Sequence, residues 1–260
     1  MSAGNSRSRW NSAFQALALV VGFWWLATGL LLGLPRTPAA LQAASVVASL
    51  IGGSGIALAV LYRQDTSPRA AWIGFLAGAT LWGWTQAALY GGWLVGPGAP
   101  SGALPSGDRV ALVMTALRAT AWSEAATAGV LILTAILAVG AANRMPFWTV
   151  LLFWSAHQAA RLNVLFGVAN SGSEFLPPHL AFLKQFFGPA INSPLLPVTV
   201  AVWVMVTVLL VRRAWRSPDL YVRHSGLTLG VLSGLAALEH VLLGIPASLP
   251  LWNLFVHQPK

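Results

Sequence analysis

His157 and Arg161 stand four residues apart in the run Trp154–Pro178, which begins inside an apolar stretch and ends in a loop. On a helix that spacing places both on one face. Gln158, Asn163, Asn170 and Glu174 belong to the same run. Elsewhere Arg118 and Glu124, the adjacent Glu239 and His240, and Gln86 interrupt otherwise apolar stretches. Only 8% of the chain is charged. An ionisable side chain inside lipid is costly and ordinarily marks a site or a paired interior contact. These residues are therefore the candidates for chemistry.

Several chemistries are open to them. Arg161 requires a carboxylate partner, and Glu124, Glu239 or a folded-back Glu174 can supply it. The pair would either lock helix packing or orient a carbonyl or carboxylate of a ligand. Glu124, Glu239 and His240 could act as acid–base groups if geometry brings them within hydrogen-bond reach of a substrate. A metal site is not expected. The Glu-x-x-His spacing of di-iron bundles does not occur, and Glu239 and His240 point about 100° apart on a helix. Arg161, sharing a face with His157, would repel a cation. His240 and His157 each read as a hydrogen-bonded partner or as an axial ligand to a chlorin magnesium. Trp24 and Trp25, Trp82 and Trp84, and Trp122 read as packing and interface anchors, or as an aromatic pocket for a flat ligand. The Gly52–Gly55 run GGSG lies in an apolar span, where small residues permit close helix contact or a kink. It is a poor phosphate cradle.

The elements that must hold these residues are membrane helices. Hydrophobic residues make up 57% of the 260-residue chain, and a soluble domain carries roughly 25% charged residues. Seven stretches reach the roughly 20 apolar residues of a span: about 11–34, 40–62, 69–96, 109–142, 146–168, 195–214 and 219–243. The apolar stretch after the polar N-terminus is as long as a full span and no cleavage signature follows it, so it is expected to be retained. The predicted fold is an all-α polytopic membrane helix bundle forming one integral membrane domain over 1–260. The 169–194 connection, with Leu176, Leu180, Leu183, Phe186 and Phe187 near helical spacing, is expected to add a short amphipathic interfacial helix.

The net charge of +9 does not indicate nucleic acid, because the basic residues are scattered singly between apolar segments rather than forming a stripe. They distribute as loop charges of a membrane protein. Arg7, Arg9, Arg63, Arg69, Arg144, Arg212, Arg213, Arg216 and Arg223 fall at one end of a seven-span bundle, and Arg36, Arg109, Lys184 and Lys260 at the other. Lys and Arg concentrate in cytoplasmic loops. The N-terminus is therefore expected in the cytoplasm and the C-terminus outside. Counted from the cytoplasmic end at 1.5 Å per residue, Glu124 lies about 27 Å along its span, Arg161 about 22 Å, Glu239 about 28 Å and Gln86 about 25 Å. These depths predict one polar cluster in the outer half of the bilayer. The chain has no cysteine, which removes disulfides and thiol chemistry.

A set of residues, in order along nearly the whole chain, resembles the photosynthetic complex assembly proteins of the PuhE type from phototrophic bacteria. It comprises Phe23-Trp24-Trp25 with Thr28-Gly29, Leu81-Trp82-Gly83-Trp84, and Trp122 with Glu124. It continues through Arg161-Leu162-Asn163, Phe166-Gly167-Val168, Asn170 and Glu174-Phe175-Leu176-Pro177, and closes with Leu238-Glu239-His240 and Leu249-Pro250. Three positions depart from the family pattern: Ser123 stands where a His is usual, Arg161 where a Lys is usual, and Gln86 where a Glu is usual. The Lys-to-Arg difference keeps the charge and changes the donor geometry.

The resemblance implies a multi-pass inner-membrane assembly factor for the reaction centre and core light-harvesting complex. Its partners would be reaction-centre or light-harvesting subunits and membrane lipid, with bacteriochlorophyll in transit as the candidate ligand. Other classes stand beside this reading. One is a membrane enzyme acting on a bacteriochlorophyll or lipid intermediate, and another is a stoichiometric photosystem subunit. A small-solute transporter would need repeats or paired broken helices, which the sequence lacks.

Overall fold

The computed structural model describes residues 3–34, 37–99, 104–105 and 107–246, with side chains from residue 9 onward. Pro35, Arg36, Leu249, Pro250 and Lys260 lie outside the described residues, as does the side chain of Arg7. The described chain is helical: α1 Ala3–Leu32, α2 Pro38–Leu61, α3 Pro68–Tyr90, α4 Arg109–Ala119, α5 Ala121–Ala138, α6 Met145–Phe166, α7 Leu195–Arg216 and α8 Leu220–Leu243. Two 3-10 helices, Ser173–Phe175 and Pro178–Phe186, lie between α6 and α7. Five helices are long and apolar enough to cross a membrane: α1, α2, α5, α7 and α8. Helices α3 and α6, of 23 and 22 residues, are of spanning length but more polar in sequence, and they sit inside the bundle.

Local chemistry explains where the helices start. Ser67 Oγ accepts the Ala70 amide at the start of α3 at 3.2 Å. Asp108 accepts the Val110 and Ala111 amides ahead of α4 at 2.9 and 3.0 Å, and Asp219 accepts the Val222 amide ahead of α8 at 3.1 Å. Each side chain satisfies a donor that the first helical turn leaves without a partner.

Helix α3 is the axis of the packing, in contact with α1, α2, α5, α6 and α8. Its residues Ala70, Ala71, Phe75, Ala77 and Ala79 are fully buried. Between membrane helices there is little hydrophobic driving force, so close backbone approach through small residues carries the association. Helix α2 continues unbroken through GGSG, and this run forms contact rather than a kink: a Cβ on Gly55 would lie 2.8 Å from the Ala77 carbonyl of α3. On the other face, a Cβ on Gly78 would lie 2.6 Å from the Pro146 carbonyl and 2.8 Å from Thr149 Cβ. Val20, Phe75, Met145, Leu229 and Leu232 fill the centre between α1, α3, α6 and α8. Helix α7 packs along α8 and touches α6 at few positions.

At the arginine-rich end, buried Asn143 ties three connections together. Its amide donates to the carbonyls of Tyr62 and Ala70 at 3.2 and 3.0 Å. Its Oδ1 accepts from the Met145 amide at 3.1 Å and the Tyr221 hydroxyl at 2.9 Å. Arg63 donates to the carbonyls of Leu137 and Val139 and so closes the last turn of α5.

The expected fourth span, 109–142, is broken. Helix α4 has 11 residues, about 16 Å, and is too short for a core of about 30 Å. Helix α5, with 18 residues, crosses alone. The joint is Thr120. There the 91–99 loop supplies what the break leaves unbonded: Val95 O accepts the Ser123 amide and Gly98 N donates to Ala119 O, both at 3.1 Å. Arg118, Thr120, Ser123 and Glu124 interrupt the apolar pattern here, and the contact with the 91–99 loop satisfies the backbone that the break exposes.

The packing of Gly78 can be measured directly. G78A should lower the thermal midpoint in detergent, with overpacking costs of about 1–3 kcal/mol. G83A, on the same helix but with nothing within 4 Å of the added Cβ, should be neutral or mildly stabilising.

Candidate functional site

The polar residues of the loop-rich end lie in one layer, close to the ends of α3, α6 and α8 and the start of α5, but they do not form one cluster. Arg161 of α6 forms an ion pair through Nη1 with Glu124 Oε1 in the first turn of α5. The other Glu124 oxygen, Oε2, accepts from Gln158 Nε2 at 3.0 Å, and Gln158 Oε1 lies 3.4 Å from Arg161 Nη1. Arg161 Nη2 donates to Thr120 Oγ1 at 3.1 Å. The Thr120 hydroxyl in turn can donate to the Ala116 carbonyl at 3.2 Å or to Glu124 Oε1 at 3.4 Å. Four side chains thus close a network across the α4–α5 joint and α6. Glu124 is also favoured by its place at a helix N-terminus, where the backbone dipole attracts negative charge.

This network forms one wall of a cavity of about 310 Å³. The opposite wall is apolar. Leu180, Leu183 and Phe186 of the longer 3-10 helix line the cavity; at three residues per turn they fall in one row. The 169–194 connection therefore does form a short helix, of 3-10 type, and it roofs the cavity and packs against α4. Leu180 and Phe186 are buried. Pro178 opens the helix within its first two positions, as proline does where no amide partner is required.

A second cavity, of about 270 Å³, lies between α1, α3, α6 and α8. Trp24, Trp82, Gln86 and Glu239 line it. Here Glu239 accepts from Trp24 Nε1 at 2.6 Å, so its partner is an indole, not Arg161. Gln86 is buried with its Nε2 3.4 Å from Thr85 Oγ1. Trp82 stacks on Phe153, with centroids 5.9 Å apart and planes 2° apart. His157 meets Trp82 edge-on at 5.5 Å. His157 and Tyr90 line both cavities and separate them.

The remaining candidates lie apart from both networks. Asn163 is fully buried and donates to Ala159 O and Thr199 Oγ1, each at 2.9 Å. It joins α6 to α7. His240 is buried with Nδ1 2.7 Å from the Ala236 carbonyl and its ring 6.2 Å from Trp203; it lines neither cavity. Glu174 is exposed and borders a separate groove with Leu34, Tyr90 and His179. Trp84 packs on α2, its Nε1 donating to Ser49 Oγ at 3.3 Å. Trp25 and Trp122 are 44% and 59% exposed and line neither cavity. The polar and aromatic sets expected in one pocket are thus divided between two cavities and positions outside both. Among the described residues, no three His, Asp or Glu side chains converge as a metal site would need.

Thr120 and Tyr90 complete these sites and were not singled out by the sequence. Gln158, among the candidates of the Trp154–Pro178 run, joins the Arg161–Glu124 network. The length of the 109–142 run, well beyond the about 20 residues a span needs, and the polar Arg118, Thr120, Ser123 and Glu124 within it were the signals for a joint near Thr120.

Residues 11–260 match the family described as a protein of unknown function, DUF3623. The chain belongs to that family. It is also 27% identical over 241 residues to a protein of Rhodobacter capsulatus described as an uncharacterized 30.4 kDa protein in the puhA 5′ region, covering 91% of this chain and 88% of the relative. No solved structure matches. In this DUF3623 protein the chemical capacity of the first cavity is clear from its walls. Both oxygens of Glu124 are engaged, whereas a guanidinium carries five donors, so Arg161 retains capacity for an acceptor in the cavity.

The Arg161–Glu124 interaction can be isolated by a double-mutant cycle. E124Q and R161Q should each lower stability, and the double variant should lose less than their sum. A coupling energy of about 1–3 kcal/mol is expected, measured by thermal or denaturant unfolding in detergent. A coupling near zero would make the pair incidental.

Proposed function

We propose that this protein is an assembly factor for the bacterial photosynthetic reaction centre and its core light-harvesting complex. It holds a pigment or a subunit helix at the cavity between α4, α5, α6 and the longer 3-10 helix. The observation that carries the reading is the form of this cavity. A flat or helical apolar body contacts the Leu180–Leu183–Phe186 row, while a carbonyl or carboxylate on the same body accepts from Arg161. The volume of about 310 Å³ is at the lower end for ligand sites. It accommodates the edge of a macrocycle or a few side chains of a helix, with the rest of the ligand outside. His157, on the shared wall, is the imidazole placed to meet a chlorin magnesium; His240 is not.

The PuhE-type resemblance supports this setting, and so does a relative described by its position in the puhA 5′ region. The same reading places the protein in the inner membrane, with the arginine-rich end in the cytoplasm and the cavity toward the periplasmic side.

Deletion of the gene in its phototrophic host tests the proposal. Assembled reaction centre and core antenna, measured by membrane absorption, should fall severalfold while bacteriochlorophyll precursors stay at wild-type levels. R161Q should restore assembly only weakly, and R161K better. Accumulation of a pigment intermediate would overturn the reading in favour of an enzyme, and unchanged photosystem levels would overturn it outright.

A further inference from the structure

A third cavity, larger than the two described above, lies at the arginine-rich end, away from the proposed assembly site. It is a cleft of about 670 Å³ between α6, α7 and α8, formed because α6 and α7 diverge while α7 stays packed on α8. Its body is apolar, with Leu152, Val206, Leu210 and Leu229 among the lining residues. Arg144, at the start of α6, and Arg213, in the last turn of α7, both line it and both are exposed. Arg144 Nε donates to the Ala141 carbonyl at 3.1 Å. Among the described residues neither arginine has a carboxylate partner, the ion pair that forms being Arg161–Glu124 at the other end.

The dimensions match one leaflet. From Arg213 inward to Val202 the lining stretch of α7 is about 16 Å long, and from Arg144 to Ser155 the stretch of α6 is again about 16 Å. Half of a hydrocarbon core of about 30 Å is about 15 Å. The cleft therefore begins at two cations and continues as an apolar trough to about the bilayer centre. Trp148, also in the lining and 48% exposed, lies one turn inward of Arg144, where an indole suits the membrane interface.

We propose that this cleft is a binding site for one anionic phospholipid, its phosphate held between Arg144 and Arg213 and an acyl chain laid in the trough. Charge complementarity selects an anionic headgroup over a zwitterionic one, and the open α6–α7 seam admits the chain from the surrounding leaflet. The bound lipid fills the seam that protein contacts leave open and ties α7 to α6. This inference does not depend on the assembly reading.

Native mass spectrometry of the full chain, titrated with phosphatidylglycerol or phosphatidylcholine, tests it. One phosphatidylglycerol should bind with preference over phosphatidylcholine. R144Q/R213Q should weaken it by about thirtyfold, since each of the two basic residues at an anionic surface contributes on the order of 1 kcal/mol and 1.4 kcal/mol is tenfold. R212Q/R216Q, which removes two nearby arginines that do not line the cleft, should bind as the wild type does. V206W, which fills the trough and keeps both arginines, should also lose the bound lipid. Equal losses in the two arginine pairs would reduce the effect to general surface charge and overturn the site. Equal binding of phosphatidylcholine, or retention in V206W, would overturn it as well.

Discussion

Close backbone approach along α3 is the constraint on which the bundle depends. Lipid is as apolar as the helix surfaces, so burial of leucine does not by itself hold membrane helices together. The small residues of α3 bring α2 to one face and α6 to another, with Gly55 and Gly78 at points where a side chain would collide. Once α6 is seated on α3, the face carrying His157 and Arg161 is oriented. Helix α5, packed against both, then presents Glu124 to the guanidinium. The site is a consequence of three helices meeting at one central element.

The interruption at Thr120 gives that site its depth. In a bilayer every backbone group must find a partner within the protein, so a break in a helix is stable only where another segment supplies bonds. The 91–99 loop does so through Val95 and Gly98. The break starts α5 close to Glu124, which places a carboxylate at a helix N-terminus. It also frees α4 to lie beside the longer 3-10 helix. A continuous fourth helix would carry Glu124 mid-span and leave no pocket beneath the 3-10 roof.

The two ends of the molecule are chemically unlike. At one end arginines outnumber carboxylates, and they cap helix carbonyls or flank the α6–α7–α8 cleft. At the other, the neutralised Arg161–Glu124 pair lies under an apolar roof and the Glu239 carboxylate is bonded to an indole. An ion pair with hydrogen bonds to Gln158 and Thr120 keeps the cost of burying charge low, which suits a binding surface of mixed polar and apolar character.

The sequence by itself determined the class and much of the order of the fold. Apolar runs of spanning length read as membrane helices in a chain this poor in charge, and the approximate positions of most of the helices follow from that. It also determined that Arg161 needs a carboxylate and that Glu124 shares its layer, because depth along a helix is a matter of counting residues. Tertiary structure decided what counting cannot. Rotation of each helix about its axis turned Glu239 toward Trp24 rather than Arg161 and His240 toward α7. Contact with the 91–99 loop broke the fourth span. The divergence of α6 from α7 opened a cleft that no local pattern encodes. Depth is a one-dimensional property that a sequence carries, whereas azimuth and separation arise only when the helices choose their neighbours.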